Sequence, residues 1–261
     1  MTAGGGSAYR RLFQRPDAAA AYLRTYAGDG PSADRLAWEF ERRYLVRLLR
    51  RTVAGRTRWR ALDYACGGGR VLRELAGCGA EAHGWDSSVV MLRESRRAAP
   101  EAVLRRVDLS EQDCPDVQPF DVITVFRLVL NLEPEHRALV LRRLAGLLAG
   151  SGLLLLDNHG NRASLRHLAV GLGARRRHRF ANELSDREVR DLLAGAGLRL
   201  LRRAGFGWMP EFLHRHRASA PLARRIDAFL LARTQSPWLA IRVLYLAGPD
   251  RAGPDRAGPD R

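Results

Sequence analysis

Residues 61–70 read Ala61-Leu62-Asp63-Tyr64-Ala65-Cys66-Gly67-Gly68-Gly69-Arg70, an apolar stretch that runs straight into a glycine-rich turn. The pattern predicts a buried strand, a tight turn over which a ligand can approach the backbone, and a helix opening near Arg70. A second strand signal, Ala80-Glu81-Ala82-His83-Gly84-Trp85, ends on an acid, Asp86. A carboxylate at that tip can accept hydrogen bonds from two ribose hydroxyls. Together the two segments predict a nucleoside-binding crevice at the carboxyl ends of an open parallel sheet.

The glycine spacing narrows the nucleoside. A dinucleotide fingerprint needs a third glycine three residues after the second, so that helix and strand pack closely beneath a pyrophosphate. Counting Gly67 and Gly69 as the first pair, that position is Leu72. A Gly-x-x-x-x-Gly-Lys phosphate loop is excluded, because the chain contains no lysine. A ligand that lays an amino-acid portion over the turn and carries no phosphate fits better, and S-adenosylmethionine is the common one.

From here the sequence resembles the class I S-adenosylmethionine-dependent methyltransferases, firmly over roughly residues 58–205. Ala80 to Leu92 is similar to the family's second strand, ribose-binding acid and following helix with its Met91-Leu92 pair. Asp108 in Arg106-Val107-Asp108-Leu109 matches the acid that meets the adenine amino group. Phe120 to Asn131 resembles strand four and the substrate-facing loop, and Leu144 to Asp157 the helix, turn and fifth strand. The resemblance implies an α/β, Rossmann-like, doubly wound seven-stranded sheet, mostly parallel with an antiparallel last strand, carrying an N-terminal helical addition. It implies S-adenosyl-L-methionine as cofactor, held by Asp63, Ala65, Cys66, Gly67, Gly69, Asp86, Ser87, Met91, Asp108, Leu109 and Phe126. Two positions depart from the family. Ala65 stands where glycine is usual, a mild change unless the backbone there requires positive φ. Arg127 stands where many relatives have histidine or a small polar residue.

Length and composition agree with one core of roughly 200 residues plus additions. No run approaches the roughly 18 uninterrupted apolar residues of a membrane span, and residues 1–15 lack an apolar signal core, so a cytoplasmic protein is expected. The three cysteines, Cys66, Cys78 and Cys114, are odd in number and lack metal-type spacing, which predicts reduced thiols and no metal. The net charge of +16 ordinarily points to nucleic acid. All 44 basic residues are arginine and isoleucine is scarce, the signature of a GC-rich coding sequence, which lowers the weight of that charge.

Residues 1–57 are expected to form a loose lead-in to residue 15, then helices at about 16–27 and 34–53 that lie across the crevice. Tyr22 and Tyr26, one helical turn apart, either contact ligand or pack the helix on the sheet edge. The methyltransferase domain is expected over 58–246, with strands near 59–64, 80–85, 102–107, 121–125, 152–157, 198–204 and 240–246. A helix starting at Pro134 ends at Gly150, and Ser185-Asp186-Arg187-Glu188 is a capping box. Segments 160–181 and 208–237 fall outside the core and read as caps, the second with an amphipathic helix turning Leu222, Ile226, Phe229 and Leu230 to one face. Residues 247–261 are three copies of Ala-Gly-Pro-Asp-Arg, read as a disordered tail.

Methyl transfer from a sulfonium is an in-line displacement with a good leaving group, so alignment carries most of the chemistry. A base is needed only where the acceptor must shed a proton. His159 and Asp157, beyond strand five, are candidate bases, with Arg127 and Asn131 beyond strand four orienting the acceptor. The run Arg175-Arg176-Arg177-His178-Arg179 is either solvated surface or a steering patch for an anionic acceptor. His214 and His216 lack a third ligand nearby for a metal. The expected partner is a small-molecule acceptor bearing an aromatic, quinone-like or lipid-like hydroxyl. Alternatives are an RNA methyltransferase, a non-catalytic protein that keeps the fold and cofactor, and, disfavoured by Leu72, a nicotinamide dehydrogenase.

Overall fold

A computed structural model describes residues 11–27, 33–164, 167, 182–209, 213–214, 216, 218–233 and 238–250. The run 175–179 and residues 251–261 lie outside them, as does nearly all of 160–181 after Ser164. Two helices, α1 (Pro16–Ala27) and α2 (Ala33–Thr52), lead into β1 (Arg60–Tyr64), α3 (Arg70–Gly77), β2 (Glu81–Asp86), α4 (Val89–Ala98) and β3 (Val103–Arg106). There follow β4 (Phe120–Val125), a short 3-10 turn (Val129–Asn131), α5 (Pro134–Gly146) and β5 (Leu148–Asn158). The chain closes with α6 (Asp186–Gly195), β6 (Leu198–Phe206), α7 (Ala220–Arg233) and β7 (Arg242–Pro249).

The strands form one seven-stranded sheet in the order β3-β2-β1-β4-β5-β7-β6. β7 is antiparallel to both neighbours, and β6 forms the edge. The remaining pairings are parallel, so β1, β4 and β5 deliver their carboxyl ends to one rim. Because β7 runs the other way, its first residue, Arg242, arrives at that same rim.

Period-2 alternation splits the core between the two faces of the sheet. Leu62, Tyr64, Ile123, Val125, Leu154 and Leu156 pack under Val140, Leu141 and Leu144 of α5 and Val189 and Leu193 of α6. Ala61, Val122, Leu155, Leu244 and Leu246 pack under Leu45, Leu48 and Leu49 of α2 and Val71, Leu72 and Leu75 of α3. Local signals set the helix starts. Pro134 occupies the first turn of α5. Ser185 caps α6, and Glu188 reciprocates in a complete capping box.

Four expectations need correction. The helix from Pro134 stops at Gly146, and Gly150 lies inside a β5 that begins at Leu148, because the Phe120 and Leu148 ends of β4 and β5 pair ahead of an irregularity. β7 continues through Pro249, so the first three residues of the tandem pentads belong to the sheet: Ala247 and Gly248 pair with Leu200 and Arg199 of β6, and Asp250 N–H reaches the Gly197 carbonyl at 2.9 Å. Proline suits that strand end, where no further ladder donor is required. Residues 11–15 are docked rather than loose, since Phe13 O accepts the Ser88 hydroxyl at 2.6 Å and Gln14 Nε2 donates to Ser87 O at 3.2 Å.

The fourth concerns α7, which turns Leu222 and Phe229 outward at 62% and 56% exposure and buries Ala223 and Asp227. The Asp227 carboxylate overrides the apolar pattern. Its Oδ1 accepts the Trp208 and Met209 N–H groups at 2.9 and 3.1 Å, and its Oδ2 meets His214 Nε2 at 2.9 Å. A fully partnered buried acid fixes helix rotation more strongly than two leucine-sized side chains, because a rotated Asp227 leaves buried N–H donors unmade.

Candidate active site

At the carboxyl end of β1 the backbone turns through left-handed conformations at Ala65 (φ 58°), Gly67 (φ 53°) and Gly69 (φ 78°). A β-carbon at Gly69 would stand 3.0 Å from Ser95 of α4, and one at Gly68 would overlap Leu23 of α1. Glycine is therefore required at Gly69, where φ is positive and the Ser95 backbone is close, while at Gly68 only the Leu23 side chain would have to shift; Ala65 holds a left-handed conformation with its methyl in place. Ser95 Oγ donates to Gly67 O at 2.6 Å and fastens the turn from below.

Asp86 completes the frame. Its Oδ2 accepts the Gly67 N–H and its Oδ1 the Ser88 N–H, both at 2.8 Å. Burial pushes its carboxyl above the ordinary range, while the Ser88 and Gly67 amides pull it back. An ionised carboxylate has about four acceptor sites, so two remain for ligand hydroxyls. Ser88 caps α4 by accepting Met91 N–H at 3.2 Å, which sets the Met91 side chain into the crevice.

One cavity gathers Phe13, Tyr22, Ala65, Gly67, Asp86, Ser87, Met91, Phe126, Arg127 and Leu128. A second shares Tyr22, Ala65, Gly67 and Phe126 and continues over Asp63, Cys66, Gly68, Arg70, Tyr26 and Trp38. The N-terminal helices roof both. Phe13, Tyr22 and Tyr26 form an edge-to-face series at 5.1 and 5.4 Å, and the Arg70 guanidinium lies between Tyr26 and Trp38, 4.2 and 4.1 Å from the two rings. Tyr22 and Tyr26 thus both line the crevice and pack the roof. Asp63 is buried against Thr124 Oγ1 at 2.8 Å, and burial raises its carboxyl to about 7.

Three of the expected site residues also have partners within the chain. Leu109 is fully buried, its N–H donating to Tyr64 Oη at 2.8 Å. Asp108 accepts Ser110 N–H at 3.0 Å and so braces the turn after β3. Asn131 Nδ2 donates to the Arg127 carbonyl at 2.5 Å and so supports the loop beyond β4.

Beyond the crevice lies a buried charge cluster. Arg127 has positive φ (58°), its N–H donates to Asp157 Oδ1 at 2.5 Å, and its Nη2 to Asp34 Oδ1 at 3.1 Å. Arg242 donates to the same Asp34 oxygen at 2.5 Å and to Glu41 Oε1 at 3.3 Å. Burial opposes the Arg127 charge, but Tyr26, Glu41, Asp157 and Asp34 outweigh it and hold the guanidinium protonated. His159 Nδ1 stands 3.8 Å from Asp157 Oδ1, beyond hydrogen-bond reach, and burial lowers its pKa, which keeps the ring neutral. His159 and Arg127 were legible as rim residues; Asp34, Glu41 and Arg242 were not, since only folding brings residues 208 positions apart together.

The cradle fits the nucleoside inferred from sequence. It offers close backbone at Gly67–Gly69, a carboxylate with spare acceptor sites, and apolar Met91 and Phe126 beside it. A sheet of this order with an acid-braced glycine turn defines a class I S-adenosylmethionine-dependent methyltransferase. Residues 37–203 match the methyltransferase domain family, and the chain belongs to it. No curated protein matches in sequence. Among solved structures it is similar to magnesium protoporphyrin IX methyltransferase from Synechocystis PCC 6803 with bound SAH (TM-score 0.65, 16% identity, covering 92% of this chain and 98% of that one). It is similar also to a possible histamine N-methyltransferase from Thermotoga maritima (0.59, 13%, 93% and 99%). The CcbJ methyltransferase from Streptomyces caelestis is a third (0.56, 18%, 80% and 88%).

Proposed function

We propose that the protein methylates a hydroxyl on a small-molecule acceptor in the cytoplasm, using S-adenosylmethionine held by Ala65, Gly67, Asp86, Ser87, Met91 and Phe126. The cofactor supplies an electrophilic methyl on sulfur. The chain's own work is to align the acceptor and, for a neutral hydroxyl, to take its proton. The observation that carries the small-molecule reading is the roof. Tyr22 and Tyr26 of α1 and Trp38 of α2 lie over the donor crevice, and Arg127, which lines it, packs against buried Asp157 with His159 beside that acid. A crevice roofed on one side by helices suits a compact acceptor better than a nucleic-acid groove.

His159 is neutral and buried at the end of β5, so it can accept a proton, while Asp157 opposite it stabilises the imidazolium that forms. Arg127 positions the acceptor, and Asn131 holds the Arg127 backbone. Within the expected domain division, residues 1–57 serve as the cap and 58–246 as the catalytic unit.

The test is transfer of labelled methyl from S-adenosylmethionine to a panel of phenols, quinols and hydroxy acids, with transfer RNA in parallel. Label in the small-molecule fraction supports the proposal, and His159→Gln lowers kcat by about 100-fold or more. Label only on RNA overturns it in favour of a nucleic-acid acceptor. Cofactor binding without transfer to any acceptor favours a non-catalytic role.

A further inference from the structure

Asp34 sits at the start of α2 with 41% of its side chain exposed, yet one of its oxygens is gripped by two guanidiniums that are 13% and 11% exposed. Those arginines come from different strands of the rim, Arg127 after β4 and Arg242 at the head of β7. Two buried cations from the sheet have converged on one carboxylate from a roofing helix. The spot favours negative charge: burial of Asp34 opposes its ionisation, but Arg127 and Arg242 more than compensate and lower its pKa.

Near that carboxylate, four buried polar atoms make no hydrogen bond: Arg127 Nε and Asp157 Oδ2, which face each other as a loose ion pair at 3.6 Å, His159 Nδ1, which lies 3.8 Å from the other Asp157 oxygen, and Glu41 Oε2. Buried polar groups are normally satisfied, and unmade bonds cost free energy. Grouped around Arg127, which lines the crevice, these loosely met atoms leave bonds that polar atoms of another molecule can complete. Arg127 also lines the donor cavity with Ala65, Asp86 and Phe126, so a group held by its guanidinium borders that cavity.

We infer that the Arg127–Arg242 pair is the docking site for a carboxylate on the acceptor, and that Asp34 is an internal carboxylate occupying it until the acceptor exchanges with it. This rests on the methyltransferase reading and names its substrate class: a small hydroxy acid whose carboxylate is bound by the arginines while its hydroxyl faces His159. Charge selects a carboxylate over a phosphate. Arg127 and Arg242 are balanced by Glu41 and Asp157, so exchanging Asp34 for another monoanion preserves the local charge, whereas a phosphate dianion adds one more buried negative charge.

The experiment is calorimetric titration of benzoate, benzamide and phenyl phosphate into the full chain, with and without saturating S-adenosylhomocysteine. Wild type, Asp34→Ala and Asp34→Ala/Arg242→Gln are compared. With Asp34 removed, benzoate binding tightens by about 10-fold or more, while benzamide gains nothing; the added Arg242→Gln then abolishes the gain. S-adenosylhomocysteine affinity in Asp34→Ala stays within about 3-fold of wild type, reporting an intact fold. Absence of benzoate binding to Asp34→Ala, equal binding of benzamide, or preference for phenyl phosphate overturns the inference. Failure of every form to bind S-adenosylhomocysteine instead removes the cofactor assignment, and the benzoate arm without cofactor still decides the carboxylate site.

Discussion

The Asp86 carboxylate holds the Gly67 N–H at 2.8 Å, so the acid that ends β2 fixes the turn that ends β1. Ligand recognition and loop geometry therefore depend on one side chain. Asp86→Ala is expected to weaken S-adenosylhomocysteine binding by about 10-fold to over 100-fold, measured by calorimetry. Asp86→Asn is expected to fare no better. An amide has a single acceptor oxygen, so either Gly67 or Ser88 meets an N–H donor in place of an acceptor.

Ala65 adopts φ 58° where alanine is strained, and the position faces the crevice. Ala65→Gly is expected to be neutral or to stabilise by up to about 1 kcal/mol, the relief of the left-handed strain offsetting the added freedom of the unfolded chain. Ala65→Val moves the other way, because a β-branched residue tolerates that conformation least. Paired thermal melts decide: a stabilised valine variant is the contrary result.

The buried Asp63 carboxyl, raised to about 7, makes stability fall as pH rises. Between its ordinary value and about 7 the folded state keeps a proton that the unfolded state has lost, so the slope of unfolding free energy with pH is negative there. The contribution is complete at acid pH and lost as pH passes through the folded-state value. Asp63→Asn is expected to flatten this part of the profile in urea denaturation at several pH values, and an unchanged slope refutes the assignment.

Asp227 satisfies two backbone N–H groups and His214 within the packing of α7. Asp227→Ala leaves those donors buried without it and is expected to cost about 3 kcal/mol or more, a drop in Tm of about 6 °C or more. S-adenosylhomocysteine affinity should hold, since α7 packs beside β6 at the far edge of the sheet from the crevice.

The donor half of the site was legible in the sequence because it is local. A strand, three glycines and an acid on the following strand are short-range patterns, and each appears where the chain predicts it. Beyond it, Arg127, Asn131, Asp157 and His159 were legible as candidates at the ends of strands four and five, but the charge pairing was not, because its partners lie far apart in sequence: Arg127 is 93 residues from Asp34, and Arg242 is 208. Asp34 reads in sequence as an ordinary acid in a first helical turn. Helix α7 was misread for a related reason. Periodicity counted its apolar residues correctly but gave no sign that an acid with distant partners would set its rotation. The positive φ of Ala65 was posed as a condition by the missing glycine, and only backbone geometry could meet it.

The strand at the heart of the antiparallel pairing borrows its last residues, Ala247 to Pro249, from the first of three identical pentads. Because the copies are identical, deleting any one of them yields the same polypeptide. Tandem coding repeats of this kind can gain or lose units by slippage. The chain can thus vary in steps of five residues while β7 retains every ladder partner, so long as a single copy survives. A change in copy number there alters length without touching register.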